Sequence, residues 1–293
     1  MNKNENLTGY LFLSPALIIF ISLVAFPLLF SVFLSFTEWN FLSGWSAIEW
    51  VGFGNFHEMF TADNRFVWGI KNTFIYAIAT VPVLISLSLV LAYLLNGKIY
   101  AKKALRLAFF IPYISSAVAL SSIFKALFRE NGIINNILSG ISGREVRLEW
   151  FADFHLNMIP IILFVIWVQI GFQLVIYMAA MQNVPRSLYE AAELDGASEF
   201  QKFTKITFPI ISPTTFYLVV IQLITCFKIF TAIHVMNFGN IPYSNTSIVV
   251  EIFRNAFGSY KFGYASAEAM VLFVIIILVT VLNFWGQKKW VHY

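Results

Sequence analysis

Cysteine, histidine clusters and nucleotide-binding motifs are all scarce in this sequence, and each scarcity excludes a class of protein. The one cysteine, Cys226, lies within an apolar run, which excludes a disulfide framework and argues against a metal cluster. The four histidines show no ligand spacing, so neither a metal nor a cofactor is predicted; they are His57, His155, His234 and His292. No GxxxxGK[ST] motif is present, so any ATP chemistry must belong to another chain.

Charged residues are also few, at 12% of 293 positions, whereas 59% are hydrophobic and 32 are phenylalanine. The mean hydropathy is +0.76. No soluble domain of this size needs so much apolar surface, which predicts an all-α polytopic membrane protein surrounded by lipid. The net charge of +4 is explained by basic residues in cytoplasmic loops, as is usual for membrane proteins. No nucleic-acid partner is therefore predicted.

Six segments are long enough to cross about 30 Å of hydrocarbon, which takes about 20 helical residues. The first apolar run is too long for a signal-peptide core and is interpreted as a retained membrane helix. All six segments are assigned to a single transmembrane domain spanning 1–293. The predicted spans are 9–35, 71–96, 105–127, 157–181, 208–233 and 264–286.

Basic residues near the segment ends predict the orientation, because cytoplasmic loops carry an excess of Lys and Arg. The short connection 97–104 and the C-terminal tail are basic and are therefore placed in the cytoplasm. An even number of spans then puts both termini and the loop 182–207 on the cytoplasmic side. The residues that decide this are Lys98, Lys102, Lys103, Arg106, Lys288 and Lys289.

A polar stretch, 185–209, separates two long apolar segments and has the pattern of two short helices joined at a glycine. Ser187 followed three residues later by Glu190 predicts a capping box at the start of the first helix. Gly196 stands where a left-handed residue would end that helix.

Ser198 with Gln201 predicts a second capping box, and it starts a helix whose Phe200, Phe203 and Ile206 share one face. Pro209 fits an early position of the next membrane helix, where a missing N–H costs little. We call residues 185–209 the elbow. A helix–glycine–helix elbow on a membrane protein is typical of a docking element for a soluble partner.

The elbow also resembles the EAA loop of ABC importer permeases. The match is Glu-Ala-Ala, then three residues, Gly, nine residues, and Ile-x-Phe-Pro, where the family has Leu in place of Phe208. The residues that carry this resemblance are Glu190, Ala191, Ala192, Gly196, Ile206, Phe208 and Pro209.

Other stretches resemble the sugar-type branch of that family, and most closely the partner with the smaller N-terminus in maltose- and glycerol-phosphate-type importers. One stretch departs, because the family's Thr-x-Gly-Gly-Pro is replaced by Asn-Phe-Gly-Asn-Ile-Pro at 237–242. The matching stretches lie at 9–16, 26–27, 34–39, 51–56, 72–73, 227–230 and 262–267.

The resemblance implies a type I ABC importer permease fold and a multi-pass protein of the cell membrane. It further implies three kinds of partner: a second, non-identical permease, two cytoplasmic ATP-binding subunits and an extracytoplasmic solute-binding protein. The chain itself would not be an enzyme, and the solute would be a carbohydrate, either an oligosaccharide or a sugar derivative.

By matching position, the resemblance implies that Glu190 contacts the ATPase cleft. Ala191 and Ala192 would permit close packing there, and Gly196 would permit the sharp turn. The predicted coupling residues are Glu190, Ala191, Ala192, Leu194, Asp195, Gly196, Ile206 and Pro209.

Lys228 and Glu268 are charges inside predicted spans, and such residues usually have a function. Both are expected near the outer face, where they either form an ion pair lining the outer vestibule or reach separately to the headgroups. Polar residues at mid-depth either contact the solute or hydrogen bond between helices. The predicted translocation path comprises Ser115, Gln169, Gln173, Gln222, Lys228 and Glu268.

The outer loop 37–70 is rich in Trp and Phe. This composition indicates an aromatic belt at the membrane interface with a short helix, or else a surface that receives a solute-binding protein.

Two other classes of function stay open. An ATP-independent secondary transporter or channel would show broken helices or a buried acid at the midplane. An integral-membrane enzyme would need clustered His, Asp and Glu at one interface.

Overall fold

A computed structural model describes residues 3–97, 101–237, 241–288 and 290–291. The chain divides into two compact units, residues 1–67 with 251–274 and residues 68–250 with 275–293. The predicted single membrane domain is not tested by this division and remains a prediction. Four features used above lie outside the described residues: Lys98, Lys289, His292 and positions 238–240.

Helices dominate both units, with one short hairpin between the first two spans. The helices are α1 (Lys3–Phe20), α2 (Phe26–Leu34), α3 (Gly54–Thr61), α4 (Asn64–Asn96), α5 (Lys102–Ile114), α6 (Ala117–Leu127), α7 (Ile133–Ser142), α8 (Ile159–Gln182), α9 (Arg186–Leu194), α10 (Glu199–Lys202), α11 (Phe208–Phe227), α12 (Thr231–Met236), α13 (Ile248–Phe253) and α14 (Phe262–Gln287). The strands are β1 (Thr37–Glu38) and β2 (Glu49–Trp50), which pair antiparallel.

Five of the described helices are long and apolar enough to cross a membrane, and the number rises to six if a bent pair is counted as one span. The first runs through α1 and α2 and contains a π-helical turn, Ile21–Ala25, in which the Phe26 N–H bonds to the Ile21 carbonyl. Pro27 follows this turn and cannot donate a hydrogen bond, which explains the local change of helical pitch. Only 6% of this span's apolar window is buried, as expected for a helix surrounded by lipid.

The predicted continuous span 105–127 is wrong in detail, because α5 and α6 meet at an angle of 102°. The break falls at Ser115 and Ser116, both of which have extended backbone. The Ser116 side chain accepts a hydrogen bond from the Ala119 N–H and so caps α6. Serine offers the backbone an alternative to the helical bond, which the apolar pattern alone does not reveal.

Segment five also ends earlier than predicted. The helix α11 stops at Phe227, and Lys228 follows it with φ −100° and ψ 17°. A separate short helix, α12, then covers part of the predicted span.

The first unit is organised around the hairpin, in which Thr37 pairs with Trp50 and Glu38 with Glu49. Asn55 in α3 is buried and donates its amide to the carbonyls of Ser35 and Thr37, at 3.0 and 2.9 Å. The short helix expected in the outer loop is therefore confirmed as α3.

The second unit is built around α8, whose buried side chains recur along its whole length. One apolar cluster of this unit joins α4, α8 and α12 through Tyr76, Phe164 and Ile233. The helices α5 and α8 approach so closely that a Cβ built on Gly171 would lie 2.0 Å from the Phe109 carbonyl oxygen. Only glycine fits at this crossing, as is common where membrane helices touch.

We expect Gly171→Ala to destabilise the protein by about 2 kcal/mol, the typical cost of overpacking a close contact. The measurement is thermal unfolding of the purified chain in detergent. Gly140→Ala in α7 is the matched control, because a Cβ there meets nothing within 4 Å. Equal melting temperatures for Gly171→Ala and the wild type would contradict the close crossing of α5 and α8.

Candidate functional site

The first helix of the elbow, α9, begins at Arg186, one residue earlier than its predicted cap. Pro185 is the N-cap residue, and no side chain caps this end. The predicted capping box of Ser187 with Glu190 is therefore wrong. Proline can precede the first turn without a side-chain cap, and Ser187 is already helical at the second position.

Gly196 ends α9 in the predicted conformation, with φ +74°. The Ala197 N–H bonds to the Ala192 carbonyl at 2.9 Å, and the Gly196 N–H bonds to the Glu193 carbonyl at 3.1 Å. These two bonds form a Schellman motif, which satisfies carbonyls at the end of the helix.

The second capping box is confirmed. The Ser198 N–H bonds to Gln201 Oε1 at 2.8 Å, and the Gln201 N–H bonds to Ser198 Oγ at 3.3 Å. A π-helical turn at Phe203–Thr207 then links α10 to α11, which has Pro209 in its first turn. The chain is therefore helical from the elbow into the membrane span, as the position of Pro209 predicts.

Lys202 joins the two helices of the elbow, a role that the sequence reasoning missed. Its side chain is only 8% exposed, and its Nζ lies 2.9 Å from Glu193 Oε1 and 2.5 Å from Glu199 Oε1. The spacing of Glu199 and Lys202 predicts a local ion pair. The contact with Glu193 depends on how the chain folds back at Gly196, so no local pattern could indicate it.

Tyr93 fastens the elbow to α4, and Tyr189 joins α9 to the turn that leads into α11; the sequence reasoning missed both. Tyr93, near the end of α4, donates to Glu199 Oε2 at 3.2 Å, and its ring lies 4.8 Å from that of Phe203. Tyr189 in α9 forms a hydrogen bond with Thr207 Oγ1 at 2.8 Å. Of the apolar face predicted for the second helix, Phe203 is packed in this way, whereas Phe200 is 74% exposed.

None of the residues that the structure describes covers the outward face of α9. Glu190 and Ala191 are exposed, Ala192 is half-buried, and Leu194 is 91% exposed. None of the nine residues of α9 is buried. A leucine this exposed on a braced helix outside the apolar spans indicates a contact surface for another molecule.

Two of the predicted path residues lie inside the second unit. Gln173 and Gln222 are 1% and 2% exposed, and Gln173 Nε2 donates to Gln222 Oε1 at 3.2 Å, which links α8 to α11. Gln169 is partly exposed on α8. Ser115 lies at the break between α5 and α6, where its hydroxyl donates to the Ile111 carbonyl at 2.7 Å.

The two predicted intramembrane charges have different environments. Lys228 is exposed at the end of α11. Glu268 in α14 is completely buried in the first unit, where Asn255 Nδ2 donates to its Oε1 at 2.9 Å. Their pairing remains a prediction.

The apolar spans and the exposed, braced elbow define a polytopic membrane protein that presents a helix outside its spans. Comparison of the sequence with protein families gives the particular assignment. The chain belongs to the family of binding-protein-dependent transport system inner membrane components, whose model matches residues 59–290. It therefore has the predicted type I ABC importer permease fold, and it belongs to a family of transport permeases rather than of enzymes.

Individual relatives cover nearly the whole chain. The probable ABC transporter permease protein YesP of Bacillus subtilis (strain 168) is 35% identical over 99% of this chain and 94% of its own. The lactose transport system permease protein LacF of Rhizobium radiobacter is 28% identical over 97% and 94%.

A solved structure supports the fold. It is the crystal structure of a bacterial alginate ABC transporter in complex with an alginate pentasaccharide-bound periplasmic protein, and the matched chain has a TM-score of 0.80. The alignment covers 98% of this chain and 96% of that chain, at 23% identity. Together with the family assignment, this match favours the importer permease over a secondary transporter or a membrane enzyme.

We expect Gly196→Ala to loosen the elbow, because forcing a left-handed residue to carry a Cβ costs about 1–2 kcal/mol. A Cβ at this position meets nothing within 4 Å, so the cost comes from φ alone. The measurement is the rate of amide hydrogen exchange at 192–202, which should rise. Gly196→Asn is the control, since asparagine tolerates this region better and should raise exchange less. Unchanged exchange in Gly196→Ala would contradict the strained turn.

Proposed function

We propose that this chain is one of two non-identical membrane subunits of an ATP-driven carbohydrate importer, and that α9 docks onto a cytoplasmic ATPase subunit. The observation that carries the proposal is the outward face of α9. Glu190 and Leu194 are four residues apart and lie next to each other on this face. Tyr189 and Glu193 bond α9 to the rest of the elbow. The small side chains of Ala191 and Ala192 let a partner approach the helix closely.

The elbow is suited to passing a displacement from α9 into the membrane. Lys202 ties α9 to α10, and Tyr189 ties it to Thr207 in the turn that leads into α11. Ion pairs between exposed groups contribute little to stability. Lys202 is buried, however, and an unpaired buried charge is costly, so its ammonium group should stay bound to Glu193 and Glu199. Tyr93 connects the same elbow to α4. A push on α9 would therefore reach two spans.

A carbohydrate solute is supported by the relatives. LacF is named for lactose transport, and the matched alginate transporter was solved with a pentasaccharide-bound periplasmic protein. An extracytoplasmic solute-binding protein and two ATPase subunits complete the proposed assembly. Within this chain, Ser115, Gln169 and Lys228 are the path candidates with accessible surface, whereas Gln173 and Gln222 would act by fastening α8 to α11.

Docking through α9 predicts that Glu190→Ala and Leu194→Ala each reduce co-purification of the ATPase subunit several-fold. Both side chains are exposed, so neither change should alter folding. The measurement is a mild-detergent pull-down of the tagged chain from its native membranes, with melting temperature recorded in parallel. Removing an exposed contact residue at the centre of an interface commonly costs more than about 1 kcal/mol of binding.

Ile141→Ala is the matched control for this experiment. Ile141 is 80% exposed on α7, so the substitution removes a similar apolar surface away from the elbow. Undiminished ATPase recovery in both elbow variants would exclude α9 as the docking helix. Recovery of the wild-type chain alone, with solute uptake into liposomes without ATP, would overturn the importer assignment.

The proposed orientation predicts opposite accessibility for α7 and α9. In Ser142→Cys and Ser187→Cys variants, the introduced thiols lie at exposed positions, while the native Cys226 is buried. A membrane-impermeant maleimide should label position 142 in intact spheroplasts and position 187 only after permeabilisation. Labelling of position 187 in intact spheroplasts would show that α9 lies outside the cytoplasm and would contradict the proposed orientation.

A further inference from the structure

The first unit contains a charged cluster around two buried carboxylates, which the proposed docking does not use and of which only Glu268 belongs to the predicted path. It comprises two carboxylates, Glu251 and Glu268, each 0% exposed, and two arginines, Arg65 and Arg254. Two negative and two positive groups would balance one another if each carboxylate had its own arginine. Buried carboxylates are ordinarily paired in this way.

The pairing observed is uneven. Arg65 Nη2 lies 3.2 Å from Glu251 Oε1, and Arg254 Nη2 lies 2.5 Å from Glu251 Oε2. Both arginines therefore hold the same carboxylate. Among the described residues, Glu268 accepts a hydrogen bond only from the neutral amide of Asn255, at 2.9 Å.

Two complementary atoms are left over. Among the described residues, Glu268 Oε2 and Arg254 Nε are both buried without a hydrogen-bond partner. One is an acceptor and the other a donor, and they belong to the same unit. Arg254 directly precedes Asn255, whose side chain already holds Glu268. Each unpaired group costs about 1–3 kcal/mol, or more when it is charged. A second arrangement that joins them would recover that cost.

The backbone around Arg254 is built for a local rearrangement. Arg254–Gly258 is a π-helical turn, a feature that recurs at functional sites. Just beyond it, Tyr260 has φ +58°, which is strained for a bulky residue. Strained backbone of this kind clusters at switch regions. The Arg254 side chain is also 41% exposed, so its head group has room to move.

We propose that Arg254 exchanges partners during the transport cycle, leaving Glu251 for Glu268 in a second conformation. Glu251 stays paired with Arg65 after Arg254 leaves it. In the second arrangement each carboxylate holds one arginine. The backbone dihedral angles change at the π-helical turn and at Tyr260. The segment 251–268 thus has two conformations, which differ in the partner of Arg254.

The exchange is tested by hydrogen exchange in the segment 254–268, on the full chain with its co-purifying subunits in lipid nanodiscs. The resting assembly is compared with one trapped by Mg²⁺, ATP and vanadate. In the wild type we expect trapping to change exchange rates in this segment at least about twofold, because the local opening equilibrium shifts. In Glu268→Gln the change should disappear. The glutamine still accepts the Asn255 hydrogen bond and removes an unpaired buried charge, so the melting temperature of the resting assembly should not fall below its wild-type value.

The control is Glu58→Gln, an exposed carboxylate of the same unit, which should respond to trapping as the wild type does. Arg254→Gln should also lose the response, and combining it with Glu268→Gln should have no further effect. A wild-type response in Glu268→Gln overturns the exchange. A lowered melting temperature in that variant would assign Glu268 a static structural role and overturn it as well.

The proposed function and the exchange fail in distinguishable ways. This inference rests on the proposed function in one respect: the ATP-driven cycle supplies the conformational change in which Arg254 exchanges partners. Absence of vanadate-trapped nucleotide in the wild-type assembly would contradict the proposed function. Trapped nucleotide with unaltered exchange at 254–268 would contradict the partner exchange.

Discussion

The absence of water in the hydrocarbon layer is the constraint on which the structure depends. Every backbone N–H and C=O in a span has to be bonded within its own helix, which leaves long helices as the solution for this chain. The departures occur where the sequence itself breaks the bonding pattern. Pro27 and Pro209 each follow a π-helical turn, and Ser115 with Ser116 replaces a helical turn by a sharp bend.

The same constraint explains where the polar side chains lie. Within the second unit, Gln173 and Gln222 are buried against each other, because an amide facing hydrocarbon alone would lose its hydrogen bonds. In the first unit, the buried carboxylates draw arginines and an asparagine around them. The elbow follows the opposite rule. Most of its residues are polar and exposed, so its conformation depends on a few specific bonds, chiefly the ion pairs of Lys202 with Glu193 and Glu199.

In the proposed docking, binding and coupling depend on different parts of the elbow. The outward face of α9 carries residues that do little for the fold of this chain, and Leu194 is the clearest example because almost all of its side chain is exposed. The inward residues Tyr189, Glu193 and Lys202 determine how α9 is held. A partner can thus contact one face without disturbing the bonds that connect the elbow to α4 and α11.

The sequence by itself determined the features that depend on local chemistry: the membrane class, the approximate positions of the apolar spans, the Gly196 turn, the Ser198 capping box and the family. It did not indicate the 102° bend between α5 and α6, because serines at a bend and serines in a straight span have the same apolar neighbours. Only the tertiary structure decided that Lys202 reaches Glu193, and that Arg65 and Arg254 share Glu251 while Glu268 has neither. Those contacts join residues that are brought together by chain reversals and helix packing, and no local pattern encodes which charge meets which.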